Sequence, residues 1–107
     1  MDSIAELTSN INTFRDARDW KQFHNPKDMA VSISIEAAEL LEHFQWKNAA
    51  ECEAHVKSNH EAIADEIADV AIYLFELADL IDLNLGEAML KKLGKNGGKY
   101  PVEKSRG

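Results

Sequence analysis

The sequence predicts an all-α protein: a four-helix bundle that assembles into a dimer or a dimer-of-dimers tetramer. Only two prolines and five glycines occur in 107 residues, so few positions interrupt a helix. No segment keeps the strict alternation of apolar and polar residues that a half-buried strand requires. No linker divides the chain, and we expect a single domain over residues 1–107.

Two helices are predicted in the first half of the chain. Ser3 and Glu6 have the spacing of a capping box, and the helix that they open is expected to end near residue 22. An Asn-Pro pair at 25–26 predicts the next start, because proline is favoured at the first helical position. This second helix is expected over residues 26–46. The polar segment 47–57 could be a short helix or a loop.

A long third helix follows. Ser58 and Glu61 repeat the capping-box spacing ahead of it, and its apolar positions continue to Ile81. Apolar residues lie on several of its faces, which a thin bundle of one chain cannot cover. This pattern predicts that a second copy covers part of the helix.

The carboxyl-terminal region is predicted to hold one shorter helix and a tail. Asn84 and Glu87 cap this fourth helix, which is expected to end at about residue 93 because Gly94 follows. Residues 95–107 are basic and contain glycine, and we expect them to be irregular.

Composition excludes several classes of protein. With 12 basic and 19 acidic residues the formal net charge is -7, which argues against a partner that is a nucleic-acid polymer. The single cysteine, Cys52, excludes an internal disulfide and a cysteine-based zinc cluster, and it fits a cytoplasmic protein. Neither a signal peptide nor a membrane-spanning apolar run is present in the sequence, so no membrane association is expected.

Two pairs of acids carry the strongest chemical signal. Glu36 and Glu39 lie on the second predicted helix, and Glu66 and Asp69 lie on the third. Residues three apart are neighbours on one side of a helix, so each pair can bind a common ligand. Four carboxylates brought together repel one another unless a cation neutralises them, and all-oxygen ligation favours Mg²⁺. The alternative is that these acids are ordinary solvated residues.

Other acids and other metal motifs are the alternatives to this interpretation. The sequence has no Glu-x-x-His pair for a di-iron bundle and no His-Glu-x-x-His zinc motif. Glu42, Glu76 and Asp79 are expected on the solvated face, although Glu42 could also lie beside the metal ligands. Phe14 and Phe75 are expected in the core.

The two acid pairs and several flanking segments resemble the MazG-like all-α nucleoside triphosphate pyrophosphohydrolases, close to the dCTP pyrophosphatase branch. The resemblance covers nearly the whole chain. The flanking segments that carry it are Arg15-Asp16 through Trp20, Phe23-His24-Asn25-Pro26, Phe44-Gln45-Trp46, Asp69 through Leu74, and Lys99-Tyr100-Pro101-Val102. Larger members of the family often have a second glutamate just before the first motif acid, where this chain has Ile35.

The resemblance implies an activity and a metal site. It implies hydrolysis between the α- and β-phosphates of a nucleoside triphosphate, with Mg²⁺, or Mn²⁺ in its place, on Glu36, Glu39, Glu66 and Asp69. A deoxynucleotide is implied as substrate, dCTP first and dATP next, or a modified nucleotide removed in housecleaning of the nucleotide pool.

Candidate substrate-binding residues come from both ends of the chain. The family pattern maps onto Lys92, Asn96, Tyr100 and Pro101, which implies contact with the triphosphate; the alternative is a solvated tail. Aromatic and polar side chains near the first two helices could hold the base, with Trp46 preferred for stacking, unless Trp46 only covers the bundle. The full set of candidates is Trp20, His24, Trp46, Tyr73, Lys92, Lys95, Asn96, Lys99 and Tyr100.

Two other functions compete with this one. A non-catalytic helical oligomer could bind a nucleotide or a partner without turnover, but it would not need all four motif acids. A phosphoribosyl-ATP pyrophosphohydrolase shares the use of the metal, but the Phe-His-Asn-Pro and Phe-Gln-Trp segments argue against it.

Overall fold

Helices make up the regular secondary structure of residues 3–106, the part of the chain that the computed structural model describes. A short 3-10 helix, Lys21–Phe23, lies between the first two α-helices. The α-helices are α1 Ile4–Ala17, α2 Pro26–Glu42, α3 Ala49–Ser58, α4 His60–Leu80, α5 Leu85–Lys99 and α6 Val102–Ser105. The prediction of an all-α fold is confirmed for this part of the chain.

Side-chain caps start three helices where the sequence pattern predicted them. The Ser3 hydroxyl accepts a hydrogen bond from the Glu6 amide at 3.1 Å, and the Asn84 side chain accepts one from the Glu87 amide at 3.1 Å. Asn25 caps α2 in the same way. Each cap satisfies a backbone donor that the helix itself leaves without a partner.

The capping box predicted at Ser58 is wrong. Ser58 is the last residue of α3, and its hydroxyl donates to the Ala54 carbonyl oxygen 3.1 Å away. The polar segment before it is helical, because Asn48 and Glu51 form a reciprocal capping box with hydrogen bonds of 2.9 and 3.0 Å. The choice between a helix and a loop in this segment is therefore settled in favour of the helix.

Three predicted helix ends differ from the structure. The first helix ends at Ala17 instead of residue 22, since Asp19 takes a left-handed conformation with φ of 56°. The second ends at Glu42, four residues early, and a turn follows. The prediction that Gly94 ends the fourth helix is wrong, because α5 continues to Lys99 and α6 follows. The tail is thus mostly helical, not irregular.

The packing is centred on α4. Helix α2 lies along α4 in the most extensive contact of the chain, and α1 and α3 pack against other parts of α4. The predicted fourth member of the bundle is replaced by α3. Helix α5 only begins beside α1, where both line a small cavity, and the rest of it projects from the packed helices.

Very little of the apolar surface is enclosed by one chain. Among the described residues, Met29, Ile63 and Ala78 are the buried apolar side chains. Large apolar side chains on α2 and α4 stay exposed, including Ile35 at 53% and Ile67 at 53%. Within residues 3–106 no helix has both the length and the apolar character needed to cross a membrane.

Candidate active site

Three of the four predicted metal ligands meet between α2 and α4. Glu36, Glu39 and Glu66 each offer a carboxylate oxygen, and these oxygens all lie within 4.8 Å of one another. These carboxylates come together because α2 and α4 pack along each other, which places the acid pair of α2 opposite that of α4. We call these three residues the acid cluster.

The acid cluster has the chemistry of a cation site. One oxygen of Glu36 and one of Glu66 are buried and have no hydrogen-bond partner among the described residues. Burial raises the pKa of Glu36 to about 7, and the negative charge of Glu39 adds to the effect. Buried carboxylate oxygens without partners are costly, and a divalent cation would satisfy them. The residues therefore fit a metal ion.

Asp69 lies beside the acid cluster, not within its group of three oxygens. Its side chain is exposed, and its negative charge contributes to the raised pKa of Glu36. Asp69 and Glu36 line the same cavity, so Asp69 faces the site from one turn further along α4 than Glu66. It could complete the ligand set around a bound ion.

A cavity with aromatic walls, which we call the aromatic pocket, opens next to Glu36. It has a volume of about 520 Å³, within the range of small-molecule sites. Phe14 and Trp20 meet edge to face in it, with ring centroids 5.7 Å apart. Its lining residues are Asn10, Ile11, Phe14, Trp20, His24, Glu36, Asp69, Ile72, Tyr73 and Glu76. A planar ring could pack against this aromatic wall with its phosphates toward the acids.

A histidine pair forms the opposite side of the acid cluster. Nδ1 of His43 and Nε2 of His55 are 2.8 Å apart, and Asn59 donates to the other ring nitrogen of His55 at 3.0 Å. Burial, with the positive charge of Lys47, lowers the pKa of His55. The two histidines and Lys47 line a cavity of about 430 Å³ together with Glu39, Glu42 and Glu66. Sequence reasoning missed this pair, because it joins α2 to α3 only through tertiary packing.

Comparisons with known proteins identify the family. Residues 31–107 match the model of the MazG-like family. This chain belongs to the MazG-like family. Its curated relatives include dCTP pyrophosphatase 1 of Rattus norvegicus, 40% identical over 96 residues, which are 88% of this chain and 56% of the relative. The Homo sapiens protein of the same name is 38% identical over 95 residues, with 87% and 56% covered. The chain thus spans about half the length of the curated relatives that it matches.

A solved structure extends the likeness to the fold. The crystal structure of a pyrophosphatase from Archaeoglobus fulgidus is similar to this MazG-like chain with a TM-score of 0.87 and 44% sequence identity. The match covers 94% of each chain. The arrangement of helices described above is therefore shared over nearly the full length of both proteins.

The predicted substrate-binding residues divide into two groups in this MazG-like chain. Trp20, His24 and Tyr73 line the aromatic pocket. Burial, with the negative charge of Glu36, raises the pKa of Tyr73, which keeps its hydroxyl protonated. Phe14, predicted in the core, is 51% exposed and forms part of the pocket wall, so that prediction is wrong.

The second group lies away from the pocket. Trp46 is 87% exposed and is carried outward by the turn after α2. Helix α5 and the residue after it carry the other predicted contacts, and Lys99 lies 5.3 Å from the Tyr100 ring centre. None of these residues lines a described cavity that contains the acid cluster: Trp46, Lys92, Lys95, Asn96, Lys99 and Tyr100.

Two acids assigned to the solvated face are not there. Glu76 is only 7% exposed and lines the aromatic pocket. Asp79 accepts a hydrogen bond of 3.1 Å from Arg15, whose side chain is 4% exposed. The prediction failed because it relied on the charge of these residues, whereas their position on α4 faces α1. Exposed Glu42 agrees with its prediction and also lines the cavity of the histidine pair.

Proposed function

We propose that this MazG-like protein hydrolyses deoxynucleoside triphosphates to the monophosphate and pyrophosphate, with Mg²⁺ bound by the acid cluster. The observation that supports this most directly is the meeting of Glu36, Glu39 and Glu66 within 4.8 Å, with buried carboxylate oxygens that lack partners. A cation there would supply positive charge to the phosphates, and Mn²⁺ could replace Mg²⁺.

The residues around the cluster would orient the substrate. In this proposal Trp20 and Phe14 hold the base in the aromatic pocket, while the protonated Tyr73 hydroxyl donates a hydrogen bond to a substrate oxygen. Asp69, between the pocket and the cluster, would complete the metal ligands. The phosphates would then lie along the junction of α2 and α4, where the acids are.

The substrate is proposed to be dCTP or dATP, or a modified deoxynucleotide. Support comes from the name of the curated relatives, dCTP pyrophosphatase 1, at 38 to 40% identity. A housecleaning role in the cytoplasm, with no nucleic-acid polymer or membrane as partner, would follow. Lys92 and Asn96 are proposed to bind the triphosphate when α5 is held over the site, as the family pattern implies.

The protein is proposed to act as a dimer or tetramer. An apolar groove of about 630 Å³ lies between α2, α3 and α4, and its walls include Leu41 and Ile67, which are 54% and 53% exposed. Exposed apolar area of this kind favours association. A second copy seated there would cover the faces of α4 that one chain leaves open.

Pyrophosphate release from a panel of nucleoside triphosphates, with Mg²⁺ or EDTA, tests the activity. Glu39→Gln and Asp69→Asn should abolish turnover while Glu53→Gln, which removes one exposed acid of α3, should not. Lack of turnover of every triphosphate by folded wild-type protein would exclude the proposed reaction and leave a non-catalytic nucleotide-binding oligomer. Sedimentation at several concentrations tests the assembly.

A further inference from the structure

Glu76 is a buried carboxyl group without a hydrogen-bond or ion-pair partner among the described residues. Its side chain is 7% exposed and lies on the wall of the aromatic pocket, two turns along α4 from Asp69. It forms neither a hydrogen bond nor an ion pair with any residue between 3 and 106. Nothing in the proposed hydrolysis uses it, since the acid cluster reaches the pocket at Glu36, on the neighbouring helix α2.

A purely structural role does not account for Glu76. Arg15 is close enough to act on Glu76 through its charge, but its hydrogen bonds go to Asp16 at 2.9 Å and Asp79 at 3.1 Å. Burial raises the pKa of Glu76, and electrostatic interactions with His24 and Arg15 offset only part of this effect. A buried polar group without a partner destabilises the protein, so a ligand that supplies a donor would relieve this cost.

The shape of the pocket indicates which ligand group meets Glu76. A base packed against the wall that Phe14 and Trp20 form, with its phosphates toward Glu36, would have its hydrogen-bonding edge within reach of the wall that includes Glu76. An ionised carboxyl group can only accept hydrogen bonds. An ionised Glu76 would accept a hydrogen bond from the exocyclic amino group of cytosine or adenine, as glutamate does with the cytosine amino group in DNA recognition, and it would repel the carbonyl oxygen of uracil or thymine.

We propose that Glu76 determines base specificity by accepting a hydrogen bond from the exocyclic amino group of the substrate base. The pocket then selects cytosine and adenine nucleotides over those of uracil and thymine. This inference rests on the proposed function, because it assigns a role to a residue of the same site. It concerns recognition alone, and the reaction step is unchanged.

The test compares dCTP with dUTP, which differ at the edge that Glu76 would meet. Glu76→Gln keeps the size of the side chain but can offer either a donor or an acceptor. We expect the ratio of kcat/KM for dCTP over dUTP to fall on the order of tenfold, mainly through a lower KM for dUTP. Equal changes for both substrates, with the ratio kept, would overturn the proposal.

Asp79→Asn provides the matched control. It removes an acid from the same helix, three residues further on, but Asp79 pairs with Arg15 and does not line the aromatic pocket. This variant should lower the melting temperature and leave the dCTP to dUTP ratio within about twofold of wild type, because its effect on the fold acts on both substrates alike. If Asp79→Asn lowers the dCTP to dUTP ratio of kcat/KM as much as Glu76→Gln does, a specific role for Glu76 is contradicted.

Binding of dCMP and dUMP, measured by calorimetry, separates this proposal from the proposed function. One outcome is that the wild-type protein shows no turnover but binds dCMP more tightly than dUMP, and that Glu76→Gln loses this preference. That result would exclude hydrolysis and support the role of Glu76. Active wild-type protein that binds both monophosphates equally would overturn the role of Glu76 and leave hydrolysis intact.

Discussion

The burial of the Arg15–Asp79 ion pair predicts how much the free energy of unfolding falls when Asp79 is removed. The Arg15 side chain, 4% exposed, is held between Asp16 at 2.9 Å and Asp79 at 3.1 Å, and the second contact joins α1 to α4. In Asp79→Ala the guanidinium stays buried and loses the partner on the other helix. Asp16→Ala is the matched control, because that carboxylate is 59% exposed and adjacent in the chain.

The magnitude follows from burial. A hydrogen bond to a charged group contributes roughly 1.5–3 kcal/mol, and a fully buried pair costs more to break. Asp79 is 30% exposed and Arg15 keeps Asp16, so we expect a loss of about 2 kcal/mol for Asp79→Ala. In a domain of this size that loss lowers the melting temperature by about 10 °C. The exposed contact of Asp16 is expected to contribute under about 1 kcal/mol.

Thermal and urea unfolding, followed by circular dichroism at one fixed protein concentration, measure the difference. The concentration is fixed because assembly into oligomers shifts the apparent stability. A double-mutant cycle with Arg15→Met isolates the pair, with an expected coupling of about 1–2 kcal/mol that changes little with added salt. Equal losses in Asp79→Ala and Asp16→Ala, or a coupling near zero, would refute the assignment of a buried tie between α1 and α4.

Four further predictions concern the acid cluster and α5. The pKa of Glu36 is about 7 in the folded chain, against an ordinary value of 4.5, so the folded state binds the carboxyl proton more tightly than the unfolded state does. The free energy of unfolding of the metal-free protein should therefore fall as the pH rises from about 4.5 to 7. Because Mg²⁺ must displace that proton, the rise in melting temperature on adding Mg²⁺ should be larger at about pH 8 than at about pH 6, and no difference would contradict the assignment. Glu39→Gln should stabilise the metal-free protein and abolish the Mg²⁺-induced rise, whereas Glu53→Gln should change neither; loss of stability in the first variant would count against repulsion in the cluster. Lys92→Ala should raise the KM for dCTP several-fold and leave the ratio of kcat/KM for dCTP over dUTP unchanged. Steady-state kinetics measures both quantities, and an unchanged KM would show that Lys92 does not bind the substrate.

Local pattern was sufficient for much of this protein. The helical class, the caps at Ser3, Asn25 and Asn84, and the pairing of Glu36 with Glu39 on one side of α2 depend on spacing along the chain. Each of these features is set by contacts within about one helical turn, or by the fact that residues three apart share a side. Composition and periodicity carry that information directly.

Features that depend on contacts between distant segments were not predictable in this way. Glu76 and Asp79 have the composition of a solvated face, yet the packing of α1 against α4 buries the first and pairs the second with Arg15. His43 and His55 meet only because α3 folds back along α4 beside the end of α2. The sequence alone therefore determined the helical class, the starts of three helices and the pair of acids that share one side of α2. Only the tertiary structure decided which charged groups are buried, since burial depends on the neighbouring helix and not on the residue itself.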